Sequence, residues 1–310
     1  MSEKKQITKA QHWAPVSHFK HFGNEKGDLQ ILDKNNWRMC TPRHYSKVCF
    51  EEFFYGKKTG FQDEISQKIE DWLGLVEREF DLKFPRIVEN IYSTQAIENS
   101  HLGLLSVFMS KLWVRSKAFR KETNRLAEES AKDLMAFAAS NESYMQHVFD
   151  ELEQKGFENI TPEIRKEGIE MFKQRKYHLK YDNTFHLESL NDVELYANFF
   201  YKKKWRIYTL GKGYSFFTSD TPVIEVHPER RTFWGATILE RKHYFALSPK
   251  ILIELSNPDE PGKRVKRKTL KDPEDILQLN LLRIAYSDEY VYTADLEALD
   301  YLKQNFSIHH

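Results

Sequence analysis

The spacing of apolar positions changes twice along this chain. From about residue 61 to about residue 201 it is helical: Ile65, Ile69, Trp72, Leu73 and Val76 fall three and four apart, which predicts an amphipathic helix. Phe84, Ile87, Val88 and Ile91 predict a second helix opened near Pro85, because proline suits a first turn. A long helical stretch is predicted from about Ile97, with Leu105, Phe108, Leu112 and Trp113 inside and Lys111, Arg115 and Lys117 outside. Thr161-Pro162-Glu163-Ile164 predicts another start, with threonine as cap.

Beyond residue 201 the period falls to two. Residues 205–210 alternate, and Gly211-Lys212-Gly213 predicts a hairpin turn into residues 214–218. Residues 237–241, 244–247 and 251–255 are further strand candidates. A helix opens at Pro273-Glu274-Asp275, a last strand covers 287–293, and a closing helix covers 295–304. Within the first sixty residues, 29–33 read as a short strand between Gly27-Asp28 and Asn35-Asn36. The pattern predicts an α+β protein with an N-terminal β-containing segment (1–60), a central helical region (61–201) and a C-terminal mixed β-sheet with flanking helices (202–310). A length of 310 residues is roughly two domains' worth of chain, and one contiguous globular domain is also allowed.

Composition narrows the class. With 40% hydrophobic and 14% aromatic residues the chain can build a core, which excludes a disordered polypeptide. Lys plus Arg number 47 and Asp plus Glu 46, so any electrostatic partner has to be met by a local patch. The cysteines, Cys40 and Cys49, are too few for a disulfide scaffold or a four-thiolate zinc site. No stretch approaches the roughly 18 apolar residues of a membrane span, and residues 1–10 are charged and polar, unlike a signal peptide. A cytoplasmic setting without a membrane partner is expected.

Three stretches offer chemistry. In the first, His12 precedes a Trp-x-Pro turn, and its imidazole suits proton transfer near neutral pH. His18 and His21 follow, but with no acidic residue nearby a zinc site lacks its second shell. In the second, Phe217-Thr218-Ser219-Asp220-Thr221-Pro222 brings Asp220 to a strand end, as general base, metal ligand or histidine orienter. The competing reading is turn chemistry, with the carboxylate accepting backbone N–H groups. Asp220, Glu225 and His227 echo the acidic spacing of metal nucleases, without the usual lysine. In the third, Glu51 and Tyr55 are four apart and would share one face of a helix.

Two basic clusters stand out. Lys202-Lys203-Lys204-Trp205-Arg206 pairs charge with an aromatic ring, as single-strand binders do. Lys263-Arg264-Val265-Lys266-Arg267-Lys268 is denser, and it suits either a phosphate grip or a charged sheet edge that resists pairing. There is no Walker loop, Gly-x-Gly-x-x-Gly, His-Glu-x-x-His or Gly-x-Ser-x-Gly, so ATP, nicotinamide and serine-hydrolase chemistry have no support.

With these residues in view, the chain resembles the bacterial domain of unknown function 4238 family. The likeness is carried by His12 and Pro15 as His-x-x-Pro, Phe19 and Phe22 behind them, and Glu51 and Tyr55 as Glu-x-x-x-Tyr. It continues through Ile69, Glu70, Leu73 and Glu77, then Trp205, the Thr218-Ser219-Asp220-Thr221-Pro222 element, Ala246 to Pro249 as Ala-Leu-Ser-Pro, and Asn280. It departs at Arg115, where the family's central helix often has a proline close behind and this chain has Ser116-Lys117. The resemblance implies that His12, Glu51, Tyr55 and Asp220 are family-pattern residues gathered at one site.

The function expected first is hydrolysis of a phosphodiester, a nuclease-like activity of the kind a defence or toxin effector carries. His12, Glu51 and Asp220 would be catalytic, with Tyr55, Arg115, Lys203, Lys204 and Arg206 holding substrate. A divalent metal is left open as cofactor. The alternative is a non-enzymatic module that contacts a protein or a nucleic acid.

Overall fold

A computed structural model describes residues 10–52, 54–55, 60–179, 184–226 and 240–306, with side chains undescribed at 60–70 and 184–185. The elements in chain order begin with β1 (Ala10–His12), α1 (Val16–Phe19), β2 (Asp28–Asp33), β3 (Arg38–His44) and β4 (Phe50–Glu52). Helices follow: α2 (Gly60–Tyr92), α3 (Asn99–Val114), α4 (Lys117–Ala139), α5 (Glu142–Gln154), α6 (Pro162–Lys173), α7 (Thr184–Ser189) and α8 (Val193–Lys202). The last part is β5 (Lys204–Leu210), β6 (Thr218–Ser219), β7 (Val223–Val226), β8 (Lys242–Ser248), β9 (Ile251–Ser256), β10 (Val265–Leu270), α9 (Pro273–Tyr286), β11 (Tyr290–Thr293) and α10 (Leu296–Asn305). The class is α+β. No helix among the described residues is long and apolar enough to cross a membrane.

The chain divides into two compact units, one of residues 1–119 and 187–310 and the other of residues 120–186. The smaller unit has its own core of Ala139, Met145, Phe149 and Ile169, with Arg165 paired to Asp150 at 2.6 Å. Thr161 caps α6 as the sequence predicts, accepting from Ile164 N.

The larger unit holds two sheets. One is five-stranded in the order β10-β5-β9-β8-β7, and the other is four-stranded in the order β3-β2-β11-β6. β10 and β5 run parallel, and every other pair is antiparallel. β9, Ile-Leu-Ile-Glu-Leu-Ser, is buried at every position, as befits a strand near the middle of its sheet. α3 is apolar nearly all round, the mark of a helix enclosed by its neighbours. The main core joins Phe19, Phe22, Phe80, Phe108, Trp205 and Phe245.

Several expectations are corrected. Pro85 does not open a new helix; it lies inside α2, which runs unbroken for 33 residues. Phe80 and Phe84, in the turn before it, pack edge to face, and Phe80 stacks on Phe108, so tertiary packing holds this stretch although proline removes one helical hydrogen bond. Lys111 and Arg115 are not on the outer face of α3 but fully buried. β5 does not form a hairpin with residues 214–218, because it pairs with β9 and β10, and Thr218–Ser219 joins the other sheet through β11. Glu51 and Tyr55 share no helix, since Glu51 lies on β4. The dense basic segment at 263–268 runs into β10, a sheet edge. Phe53 and His227 lie outside the described residues, as does most of the strand candidate at 237–241.

Candidate functional site

Several polar side chains converge around residues 11 and 12. β1 pairs antiparallel with β4, setting Gln11 opposite Glu51 and His12 opposite Phe50. The Gln11 side chain accepts from Tyr55 N at 2.8 Å, and Tyr55 Oη returns a bond to the His12 carbonyl at 3.1 Å. Arg115, at the C-terminal end of α3, donates to that same carbonyl through Nη2 and to Tyr55 Oη through Nε at 2.6 Å. Its Nη1 donates to Glu77 Oε1 of α2 at 2.7 Å. Lys111, one helical turn earlier, donates to Glu77 at 3.0 Å and to the Leu73 carbonyl.

Burial pushes the Glu77 carboxyl up, but the charges and hydrogen bonds of Arg115 and Lys111 outweigh it and hold the group below its ordinary range. Glu77 is therefore an anion between two cations.

The His12 ring is half-buried. Burial lowers its pKa, and the charge of Arg115 adds to that against the Ser46 carbonyl and Glu77. Its Nε2 lies 3.3 Å from the Ser46 carbonyl, which accepts only from a protonated nitrogen. In the neutral ring Nδ1 then carries the lone pair and can take a proton. Phe50 packs against the ring at 5.6 Å. Beside it, Lys117 sits 4.1 Å from the Trp13 ring centre and 3.1 Å from Glu51, whose side chain is largely exposed.

Asp220 is elsewhere in its bonding. Its carboxylate accepts backbone N–H groups from Asp288, Glu289 and Tyr290 at 3.0, 2.7 and 2.9 Å, fixing the turn between α9 and β11. Burial raises its pKa to about 6, against the pull of those amides. A link to the first cluster runs through backbone, where Trp13 Nε1 donates to the Asp220 carbonyl at 3.2 Å.

The remaining expected residues hold the larger sheet. Lys203 is fully buried and donates to the Arg241 carbonyl at 2.7 Å, near Glu225, which Arg241 meets at 2.8 Å. Burial lowers the Lys203 pKa to about 7. Lys204 binds the carbonyls of Glu260 and Gly262, and Arg206 bridges Glu254 at 2.6 Å and Glu260 at 2.5 Å. His18 is enclosed by Phe19, Phe22 and Phe245 and bonds Thr218 Oγ1 at 2.7 Å. Among the described residues, no three His, Cys, Asp or Glu side chains gather as a metal would need.

The structure thus gathers His12, Tyr55 and Arg115, with Glu51 on the neighbouring strand, and leaves the Asp220 carboxylate and the 203–206 cations engaged in other networks. Gln11, Glu77 and Lys111 complete the cluster without having been singled out as site residues. Lys111 and Arg115 carried a readable signal, since two cations one turn apart stand at the C-terminal end of a largely apolar helix.

No curated protein and no solved structure matches this chain. One family model does, spanning residues 10–297, described as a protein of unknown function (DUF4238). Every residue of the His12 cluster falls within that span, and on this match the chain belongs to the DUF4238 family.

Proposed function

We propose that this protein is a phosphodiester hydrolase in which His12 carries the proton. The observation that supports the reading is the effort spent on one backbone carbonyl. Arg115 and Tyr55 both donate to the oxygen of His12, Gln11 is tied to Tyr55, and β4 pairs the strand. Burying two cations and a carboxylate is costly compared with an apolar tether of the same shape. Such over-determination suits a side chain that must be held within a fraction of an ångström.

In this reading, Nδ1 of His12 accepts the proton of the attacking hydroxyl or water and delivers it to the leaving oxygen. Lys117 and the Arg115–Lys111–Glu77 group keep the local field positive, which favours an anionic substrate. Glu51 holds Lys117 in place.

The test uses the full chain and the His12→Gln variant, whose amide can still donate to Ser46. Both are incubated with labelled RNA and DNA in Mg²⁺, in Mn²⁺ and in EDTA, after thermal melts. Cleavage by the wild type, lost by roughly 10²–10⁴-fold in a variant that melts normally, is the expected outcome. A wild type that cleaves neither substrate in any condition overturns it.

A second reading, a non-enzymatic binding module, is favoured by Asp220, whose carboxylate is spent on three backbone amides. Under that reading the wild type cleaves nothing, His12→Gln leaves melting unchanged, and labelled nucleic acid or a partner protein is retained uncut.

A further inference from the structure

Between the start of α9, the length of α10 and the turn at 213–215 lies a groove of about 400 Å³. Its floor is apolar, made by Ile276, Leu277, Ala298 and Leu302, and Tyr214 and Tyr301 stand exposed at its edges. Glu274, Asp295 and Glu297 line it as well, and among the described residues no Lys, Arg or His does.

The walls are fixed. Asn280 at the base donates to the Ser215 carbonyl at 2.9 Å and accepts from Phe217 N at 2.9 Å. Phe216 N donates to the Pro249 carbonyl at 2.8 Å, and Lys250 holds the carbonyls of Gly211 and Tyr214. Asp295 caps α10 by accepting from Ala298 N at 3.0 Å, and Glu274 accepts from Gln278 at 2.7 Å. Glu297 is exposed, on the first turn of α10.

The geometry points to this groove as a docking site for a segment of a partner protein that presents a large apolar side chain flanked by lysine or arginine. The volume lies at the lower end of the roughly 300–1,000 Å³ of ordinary binding sites, and it suits an anchor side chain with its neighbours. An apolar floor under a carboxylate rim discriminates by charge: it repels an acidic segment and leaves a neutral one without partners at the rim. Exposed tyrosines add a cation–π surface for the flanking charge. Rigid walls spare the binding event much of its ordering cost. The surface involves no residue of the His12 cluster, so it stands independently of the catalytic reading.

The test selects a displayed library of random short peptides on the full chain, then measures the consensus peptide by fluorescence anisotropy at low and high salt. Glu297→Lys reverses charge at an exposed position, and Ala298→Phe fills the groove. Expected are a consensus of an apolar residue beside basic ones, affinity that falls with salt, and binding weakened by about tenfold or more in Glu297→Lys. The Ala298→Phe variant loses binding too; if it fails to fold, Glu297→Lys decides. No enriched sequence, an acidic or uncharged consensus, or a peptide that binds wild type and Glu297→Lys alike overturns the proposal.

Discussion

Arg115 donates a hydrogen bond to the main-chain carbonyl of His12, across 103 positions of sequence. The contact ties the end of the buried helix α3 to the short strand β1, while the half-buried His12 ring is held separately, by the Ser46 carbonyl at Nε2 and by Phe50. A backbone anchor of this kind positions a residue without engaging its reactive atoms.

Replacing Arg115 with methionine therefore removes more than a charge. Tyr55 loses the donor to its hydroxyl, the His12 carbonyl loses one of two partners, and Glu77 keeps Lys111 alone. Breaking a buried pair by removing one partner costs about 3–5 kcal/mol. Urea denaturation of Arg115→Met should show a loss of that order, and a change under about 1 kcal/mol would mean that the network is not what holds β1.

Asp220 should behave as a structural residue. Asp220→Ala leaves the amides of the half-buried Asp288, Glu289 and Tyr290 without the buried carboxylate that accepts from them. A fully buried unsatisfied donor costs about 1–3 kcal/mol, and for three half-buried ones the low end applies, so a loss of up to about 3 kcal/mol is expected in a thermal or urea melt. Hydrogen exchange at those three amides should accelerate first.

Much of the fold was legible because its signals are local. Residues 251–255 are apolar at all positions but one, Thr161-Pro162 is a cap followed by a first-turn proline, and both elements appear where the pattern puts them. The failures involve partners far away in sequence. Nothing in residues 205–218 says that β5 prefers β9 and β10 to its own neighbour, and a charged run such as 263–268 gives no period that reveals a parallel edge strand. Candidate site residues were legible as types, not as a constellation. His12, Tyr55 and Arg115 were readable one by one, whereas their meeting rests on contacts between β1, the segment after β4, and α3. Asp220 and Arg206 look available in sequence, yet their charges meet backbone amides and Glu254.

Lys203 predicts a stability that depends on alkaline pH. Burial lowers its folded-state pKa from 10.5 to about 7, so between those values the unfolded chain binds more protons than the folded one. Stability contributed by this group accordingly rises as pH climbs from about 7 towards 10.5, with a limiting slope of about 1.4 kcal/mol per pH unit. Lys203→Met abolishes that rise. Urea midpoints at pH 7, 8 and 9 for both proteins check it, and parallel profiles would show that Lys203 stays charged in the fold.

The His12 reading makes a prediction about rate. A general base works only when deprotonated, so kcat/KM should climb with pH and level off once the imidazole has lost its proton. Burial and the Arg115 charge lower the His12 pKa, which puts the midpoint below the ordinary 6.5. Removing Glu77 tests the field around it. Glu77 favours the protonated imidazole, so in Glu77→Gln the acidic midpoint should move lower still while the plateau falls only as far as folding suffers. Lys117→Met removes a positive charge instead, and its side chain pairs with Glu51 at the surface, so its larger effect should be on KM for an anionic substrate. A profile with its acidic limb above pH 7, or one unmoved by Glu77→Gln in a well-folded variant, would assign proton transfer to some other group.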